Sequence, residues 1–382
     1  MKPFTIKSAQ AFALRAPIEE PITTSFGIMR DRPAVLIRIA DTDGIAGWGE
    51  AWCNFPACAA EHRVNLLETE VMSRLVGLTI SDPLQTFRQL TNDLQILVNQ
   101  SGEAGPVAQV LAGIDIALWD IASRREDQPL WRYLGGATDV IRTYASGINP
   151  DNPTAIIKMK LLEGYDAFKI KVGFGEELDC QNLESARKLV GPDRLLMADA
   201  NQGWNLPTAK RMIESISHLG LLWIEEPLPV HSSQSDWELL SQSTSVALAS
   251  GENIRGERNF MEMIDRQIFR YIQPDVGKWG GISGCLTIAK YTLSSGATYC
   301  PHWLGSSIGL MASAHLLAAT GGFGQLEVDA NPNPLRDDLF TGFPTPSNGT
   351  LRLDDSPGLG GHPNPELFEK YAHPNSARLD TL

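Results

Sequence analysis

The feature that most constrains this chain is a recurring unit after residue 135: a short apolar run that stops at a polar residue, then a helical stretch. Such runs occupy 141–146, 167–172, 195–200, 221–225, 246–250, 271–274, 298–301 and 325–328. Apolar runs bounded by turns read as strands buried on both faces, and their alternation with helices predicts parallel βα units. Eight such strands close into a TIM-like barrel. A doubly wound open sheet is the rival, but no glycine-rich dinucleotide fingerprint follows a first strand. In a barrel the chemistry sits at the carboxyl ends of the strands.

The polar residues at those ends are informative. The third run ends Asp199-Ala200-Asn201, whose two polar side chains share one face of the strand. A buried acid there is costly unless it is paired or binds a metal. Glu225 ends the fourth run and Glu252 follows the fifth, at intervals of 26 and 27 residues, one barrel step each. Three carboxylates therefore converge on one side of the mouth. Hard oxygen ligands with no cysteine or histidine among them suit Mg²⁺, with Mn²⁺ as second choice. Lys169 and Lys171 point inward together from the second run, and packing alone does not explain them. One can stabilise an anion while the other, crowded by its neighbour and the metal, has a lowered pKa and acts as a base. Asp275 and His302, after the sixth and seventh runs, form a second acid/base group opposite. Glu327 lies near the end of the eighth.

The first 125 or so residues differ. Residues 34–39 read as a strand, Asp43-Gly44 as a hairpin turn, and 45–50 as the returning strand. Between the early strands, 22–32 reads as a loop with two arginines, either a connector or a lid. From Pro56 to about Arg125 the periodicity is helical, and 110–121 is apolar on more than one face, as in a buried helix. The formal net charge of -13 argues against nucleic-acid or anionic-membrane partners. No apolar run is long enough to span a bilayer, and Met1-Lys2-Pro3-Phe4-Thr5 lacks the apolar core of a signal peptide. Cys53, Cys58, Cys180, Cys285 and Cys300 are odd in number without zinc-type spacing, and read as reduced thiols of a cytoplasmic protein.

The combination of Lys169-x-Lys171, Asp199-x-Asn201, Glu225-Glu226-Pro227, Gly251-Glu252-Asn253, Asp275 with Lys278-x-Gly280-Gly281, and His302 resembles the enolase superfamily, and within it the mandelate racemase subgroup. Ala117-Leu118-Trp119-Asp120 and Pro357-Gly358-Leu359-Gly360 share the likeness, which runs over nearly the whole chain. The resemblance implies an α/β fold, a (β/α)₇β barrel over 131–340. An α+β capping domain over 1–130 would be completed by a tail, 341–382, returning to it. It implies Mg²⁺ on Asp199, Glu225 and Glu252. Lys171 would be one base, Lys169 a partner to the substrate carboxylate, His302 with Asp275 the second acid/base, and Glu327 a hydrogen-bond partner of the carboxylate or enolate oxygen. The shared step would be removal of a proton α to a carboxylate.

Residues 24–27, with Arg30 and Arg32, resemble the lid of the muconate-lactonizing and N-acylamino-acid-racemase subgroup, where a lysine like Lys278 serves the opposite face. The His302–Asp275 pair favours the mandelate racemase pattern. Specificity is expected from Ser25, Phe26, Arg30 and Asn54 of the cap and from Asn201, Lys278 and Trp303 of the barrel. The expected reaction is dehydration of a sugar acid or related hydroxy acid. Racemisation or epimerisation of an α-hydroxy or N-substituted α-amino acid is the alternative, with cycloisomerisation or a non-catalytic binding role behind. The expected partner is a small carboxylate, and the expected assembly a homo-oligomer.

Overall fold

The computed structural model describes residues 1–24, 27–342 and 344–373. Two sheets organise it. In the first, β1 (Phe4–Thr24), β2 (Gly27–Asp41), β3 (Ala46–Ala51) and β4 (Thr79–Ile80) are hydrogen-bonded in the order β3-β2-β1-β4. Val35, Leu36, Ile37 and Ile39 are all fully buried because β2 is covered on both faces. The helix Ala104–Arg125 crosses β3 with almost no gap between the backbones. A Cβ at Gly47 or Gly49 would run into the main-chain oxygens of Ala117 and Gly113, so only glycine permits that crossing.

Two expectations for this region change. Residues 22–24 and 27–32 are not a free loop: Ile22 pairs with Met29 and Thr23 with Ile28, in the far arm of the β1–β2 hairpin. The β-branched run Ile22-Thr23-Thr24 favours that state, and the register shift between Pro17 and Ile22 hides it from a simple alternation test. The helix Ala104–Arg125, at 22 residues, is also long and apolar enough to cross a membrane. Its apolarity serves burial between β3 and the barrel helix Gly281–Ser294, and 72% of its most apolar window is buried.

The second sheet is the parallel barrel. Its strands are β5 (Val140–Ile148), β6 (Ala167–Lys171), β7 (Leu195–Asp199), β8 (Ile224–Glu225), β9 (Leu248–Ser250), β10 (Tyr271–Ile272), β11 (Thr298–Tyr299) and β12 (Gln325–Asp329). They run β11-β10-β9-β8-β7-β6-β5-β12, and seven helices fill the intervals between consecutive strands. β12 pairs with β5, nearly closing the barrel. Inside, Tyr144, Ala167, Met197, Trp223, Ala249 and Cys300 form a dry plug. Two residues further along their strands, on the same face, stand Ser146, Lys169, Asp199, Glu225, Gly251 and His302. Strand periodicity alone thus lays a polar layer directly on an apolar one.

The tail ties to both units. β13 (Thr350–Arg352) pairs antiparallel with β5, while the helix Pro365–Tyr371 puts Phe368 edge-on to Phe12 of β1 at 5.0 Å. Buried acids of the first unit reach into the barrel. Glu50 accepts from the Ser306 amide (2.7 Å), its hydroxyl and the Gly309 amide (2.9 Å), capping the helix Ser307–Thr320. Asp115 accepts from the amide and hydroxyl of Ser283 (2.8 and 2.6 Å) in the first turn of Gly281–Ser294. Burial pushes both acids up to about 7. Glu50→Ala leaves these donors unpaired, and we expect unfolding by denaturant to show a loss of ~2–4 kcal/mol. A wild-type midpoint would show that the contact does not hold the two units together.

Candidate active site

The strand register sets the site. Lys171 lies beside Asp199, and Asp199 beside Glu225, so three adjacent strands bring their last inward residues to one level. The Lys171 ammonium donates to Asp199 and Asn201, both at 2.6 Å. Lys169, 1% exposed, lies deeper and pairs with Glu225 at 2.6 Å and Glu327 at 2.7 Å. Glu225 Oε2 also accepts from Gln273 (2.6 Å) and the Trp223 indole. Across the mouth, Asp275 Oδ1 accepts from the amides of Gly277 and Lys278, which frees Oδ2 to hold His302 Nδ1 at 2.6 Å. That bond aims Nε2 inward, at 2.5 Å from Glu252 Oε2. Glu252 Oε1 takes the Lys278 ammonium at 2.9 Å. Glu327 accepts from Ser146 at 2.5 Å and from the Trp303 amide at 3.2 Å.

The electrostatics follow from burial. Burial pulls Lys171 down, but Asp199 and Glu252 outweigh it, and the ammonium ends above its ordinary value. Without a metal, the neighbouring carboxylates outweigh the second ammonium. His302 behaves alike: burial lowers it, while Glu252, Glu327 and the Asp275 bond carry it up to about 10. Glu225 is pushed up to about 7, first by burial, and Glu226 to about 8, by burial and then by Glu252. Glu226, in a left-handed backbone at φ 39°, accepts from Asn253 on both oxygens. It belongs to this charge cluster although sequence reading passed over it.

The carboxylates fit a hard divalent cation. Among the described residues, no three acidic, histidine or cysteine groups are already gathered as a ligating cluster. Asp199, Glu225 and Glu252 turn instead to Lys171, Lys169, Lys278 and His302. Yet Glu225 Oε1 is buried with no hydrogen-bond partner, and orphaned buried oxygens are rare. With its neighbours it offers the all-oxygen donor set that Mg²⁺ prefers.

A pocket opens above this layer, lined by Lys171, Asn201, Glu252, Lys278 and His302 from the barrel and by Arg32, Trp52 and Asn54 from the cap. Asn54 donates to the Leu304 carbonyl at 2.6 Å. Other expected contacts lie elsewhere. The Trp303 ring, 1% exposed, donates to Ser306 O and fills the space against Gly277, Gly305 and Gly309; it is a packing anchor rather than a pocket wall. Arg30 is exposed on β2. Arg32 is buried and lines the pocket, whereas Arg30 falls between Asp31 and Met29, where the β1–β2 register shifts and strict alternation is broken. Ser25 and Phe26 lie outside the described residues.

Acid and base groups set around clustered carboxylates at the mouth of a capped barrel define a class of barrel enzyme with an α+β lid. The family model "Mandelate racemase / muconate lactonizing enzyme, N-terminal domain" matches residues 7–135, and "Enolase C-terminal domain-like" matches 155–367. The chain belongs to the enolase superfamily, in its mandelate racemase subgroup, and is an enzyme. It is similar to D-galactarolactone cycloisomerase of Agrobacterium fabrum, at 27% identity over 97% of this chain and 99% of the relative. The solved mandelate racemase/muconate lactonizing enzyme from Bordetella bronchiseptica RB50 is 45% identical, with a TM-score of 0.90 over 97% of this chain and 99% of that one. An enolase from Bradyrhizobium, solved with magnesium and mandelic acid, is 27% identical, with a TM-score of 0.86 over 98% and 99%. Further relatives carry dehydratase, epimerase and racemase names.

The histidine gives a stability test. Its folded pKa of about 10 stands above the ordinary 6.5. Its contribution is therefore full below about 6.5 and is lost as pH rises through about 10. In chelator-treated protein, the Tm difference between wild type and His302→Asn should shrink between pH 6.5 and 10. A constant difference over that window would show that His302 is not held protonated by Glu252 and Asp275.

Proposed function

We propose that this enzyme removes the proton α to a carboxylate and dehydrates a sugar acid or related hydroxy acid, with Mg²⁺ on Asp199, Glu225 and Glu252. The observation that carries this reading is the two-sided placement of Lys171 and the Asp275-oriented His302 around those carboxylates. A divalent cation there would act as a Lewis acid on the substrate carboxylate and draw Asp199 from Lys171, Glu252 from His302 and Glu225 from Lys169. Lys171, once neutral, accepts the α-proton on one face. His302 donates from Nε2 to the β-hydroxyl on the other, so the C–H and C–O bonds break and water leaves. The resulting enol becomes a 2-keto acid. Asp275 holds the tautomer that makes this donation possible. Lys169 lies beneath, kept charged and positioned by Glu225 and Glu327, and its ammonium stabilises the negative charge that develops on the carboxylate. The polar rim of Asn54, Asn149, Asn201 and Asn331 suits a hydroxylated chain.

Racemisation or epimerisation is the second reading, because the same groups could deliver and remove a proton at one carbon. NMR exchange in D₂O separates the two. For a dehydratase whose α-proton faces Lys171, Lys171→Ala should stop α-exchange. His302→Asn should keep exchange while 2-keto product falls ~10²–10⁴-fold. For a racemase, each variant should keep exchange with one enantiomer only. Full activity in either variant would remove that residue from the acid/base pair.

The metal assignment has its own check. Glu225→Gln should abolish turnover and weaken Mg²⁺ binding in a calorimetric titration, and wild-type affinity would sink it. In wild type, proton release on binding should be larger at pH 6 than at pH 8, because Glu225 stands at about 7.

A further inference from the structure

The pocket wall away from Lys171 is built from groups that no step above uses. Arg32 donates from Nη2 to Asp329 Oδ2 at 2.6 Å and from Nε to the Pro332 carbonyl at 3.2 Å. Both side chains of the pair are 4% exposed. Asp329 Oδ1 accepts from the amide and side chain of Asn331, at 3.0 and 2.8 Å. Asn331 also donates to the Gly147 carbonyl at 2.8 Å and accepts from Asn149 at 3.4 Å. These residues line the same pocket as Lys171, Glu252 and His302.

This wall is shaped by backbone as well as side chains. Gly147 sits at the irregularity in β5 with φ 67°. A Cβ there would stand 2.8 Å from Asp329 Oδ1 and 3.0 Å from the Asn331 side-chain nitrogen. Only glycine leaves room for that pair. A buried ion pair is weak evidence for stability, because desolvation offsets the attraction. One set into a pocket wall, fixed by two backbone groups and the Asn331 side-chain amide, is better explained by recognition.

Its chemistry is specific. The Arg32 charge is already matched by Asp329, and the nearby Arg336, which donates to the Asp329 carbonyl, is matched by Asp337. The wall therefore offers closely spaced donors and acceptors without net positive charge. Hydroxyls donate and accept at once and suit such a surface. A second carboxylate would meet Asp329 without a free cation to balance it.

We propose that Arg32, Asp329, Asn331 and Asn149 form a hydroxyl-reading subsite that selects a monocarboxylic polyhydroxy acid over the matching dicarboxylic acid. This rests on the reading above, in which the reacting carboxylate lies at the Lys171–His302 end.

The test uses the Mg²⁺-loaded enzyme with five- and six-carbon monocarboxylic sugar acids and their dicarboxylic counterparts. Both α-proton exchange in D₂O and kcat/KM are read. The monoacids should lead by ~100-fold or more, the discrimination of a site built to hydrogen-bond hydroxyls. Asp329→Asn uncovers the Arg32 charge, so KM for the diacids should fall, KM for the monoacids should rise, and the preference should narrow at least tenfold. A wild-type enzyme that prefers the diacids overturns the proposal and leaves the dehydratase reading intact. An unchanged preference in a folded Asp329→Asn variant also overturns it. If that variant does not fold, the wild-type series and Asn331→Ala decide: monoacid KM should rise in Asn331→Ala, and an unmoved KM counts against the subsite. If neither acid class exchanges while N-acyl amino acids do, the sugar-acid reading fails and the subsite falls with it.

Discussion

Charge neutralisation in a space with little water is the constraint on which the rest depends. The barrel mouth confines Asp199, Glu225, Glu252, Asp275 and Glu327 with Lys169, Lys171, Lys278 and His302, all buried. Five acids face four cations, and Glu226 adds a sixth acid at the edge. One Glu225 oxygen has no partner, and the carboxyl is pushed up to about 7. A cluster short of positive charge can take up protons or a cation, and its donor atoms suit the cation. Below it the plug of Tyr144, Met197 and Trp223 keeps the dielectric low, so every imbalance is felt strongly.

Such a cluster needs a rigid frame, and the cap supplies one. Glu50 and Asp115 hold the first turns of the helices that follow His302 and Lys278. The Trp52 amide donates to the Gly277 carbonyl at 3.1 Å, in the loop that fixes Asp275. The carboxylates of the cap thus act through backbone amides on the loops carrying the acid/base pair. A small shift of the cap would move Nε2 of His302 relative to Lys171, and proton transfer is sensitive to displacements of that size.

How much of this was legible in the sequence depended on the range of the physics. Strand periodicity and the stop at a polar residue act over a few residues, so the eight strands and the inward faces of Lys169, Lys171, Asp199 and Glu225 could be read directly. Trp303 could not, because its ring direction is set by three glycines brought together by the fold. Nor could Arg32, whose partner lies 297 residues away. Its neighbour Arg30 looked equally suited, because two residues apart on a regular strand share a face; the register shift in the β1–β2 pairing, which no local pattern announces, leaves Arg30 exposed and Arg32 buried. The Ala104–Arg125 helix reads as buried from its apolar residues on more than one face, and only the length of its apolar stretch is underestimated; its two neighbours, β3 and the helix Gly281–Ser294, lie far from it in sequence.

The two-sided site also bears on the outcome of the reaction. Lys171 and His302 are both held above their ordinary values by neighbouring acids, so each is stored in its protonated state until those acids are drawn away. Once the α-proton has gone, the product depends on which atom stands opposite His302 Nε2. If it is the same carbon, the centre inverts; if it is a β-hydroxyl, water leaves. The acid/base pair cannot decide between these, because its geometry serves both. In the proposed reaction the depth of the substrate chain would decide, and the wall of Arg32, Asp329 and Asn331, which lines the same pocket, would bound that depth. On that proposal, reaction type and substrate choice would both rest on the buried Arg32–Asp329 pair at the far end of the pocket.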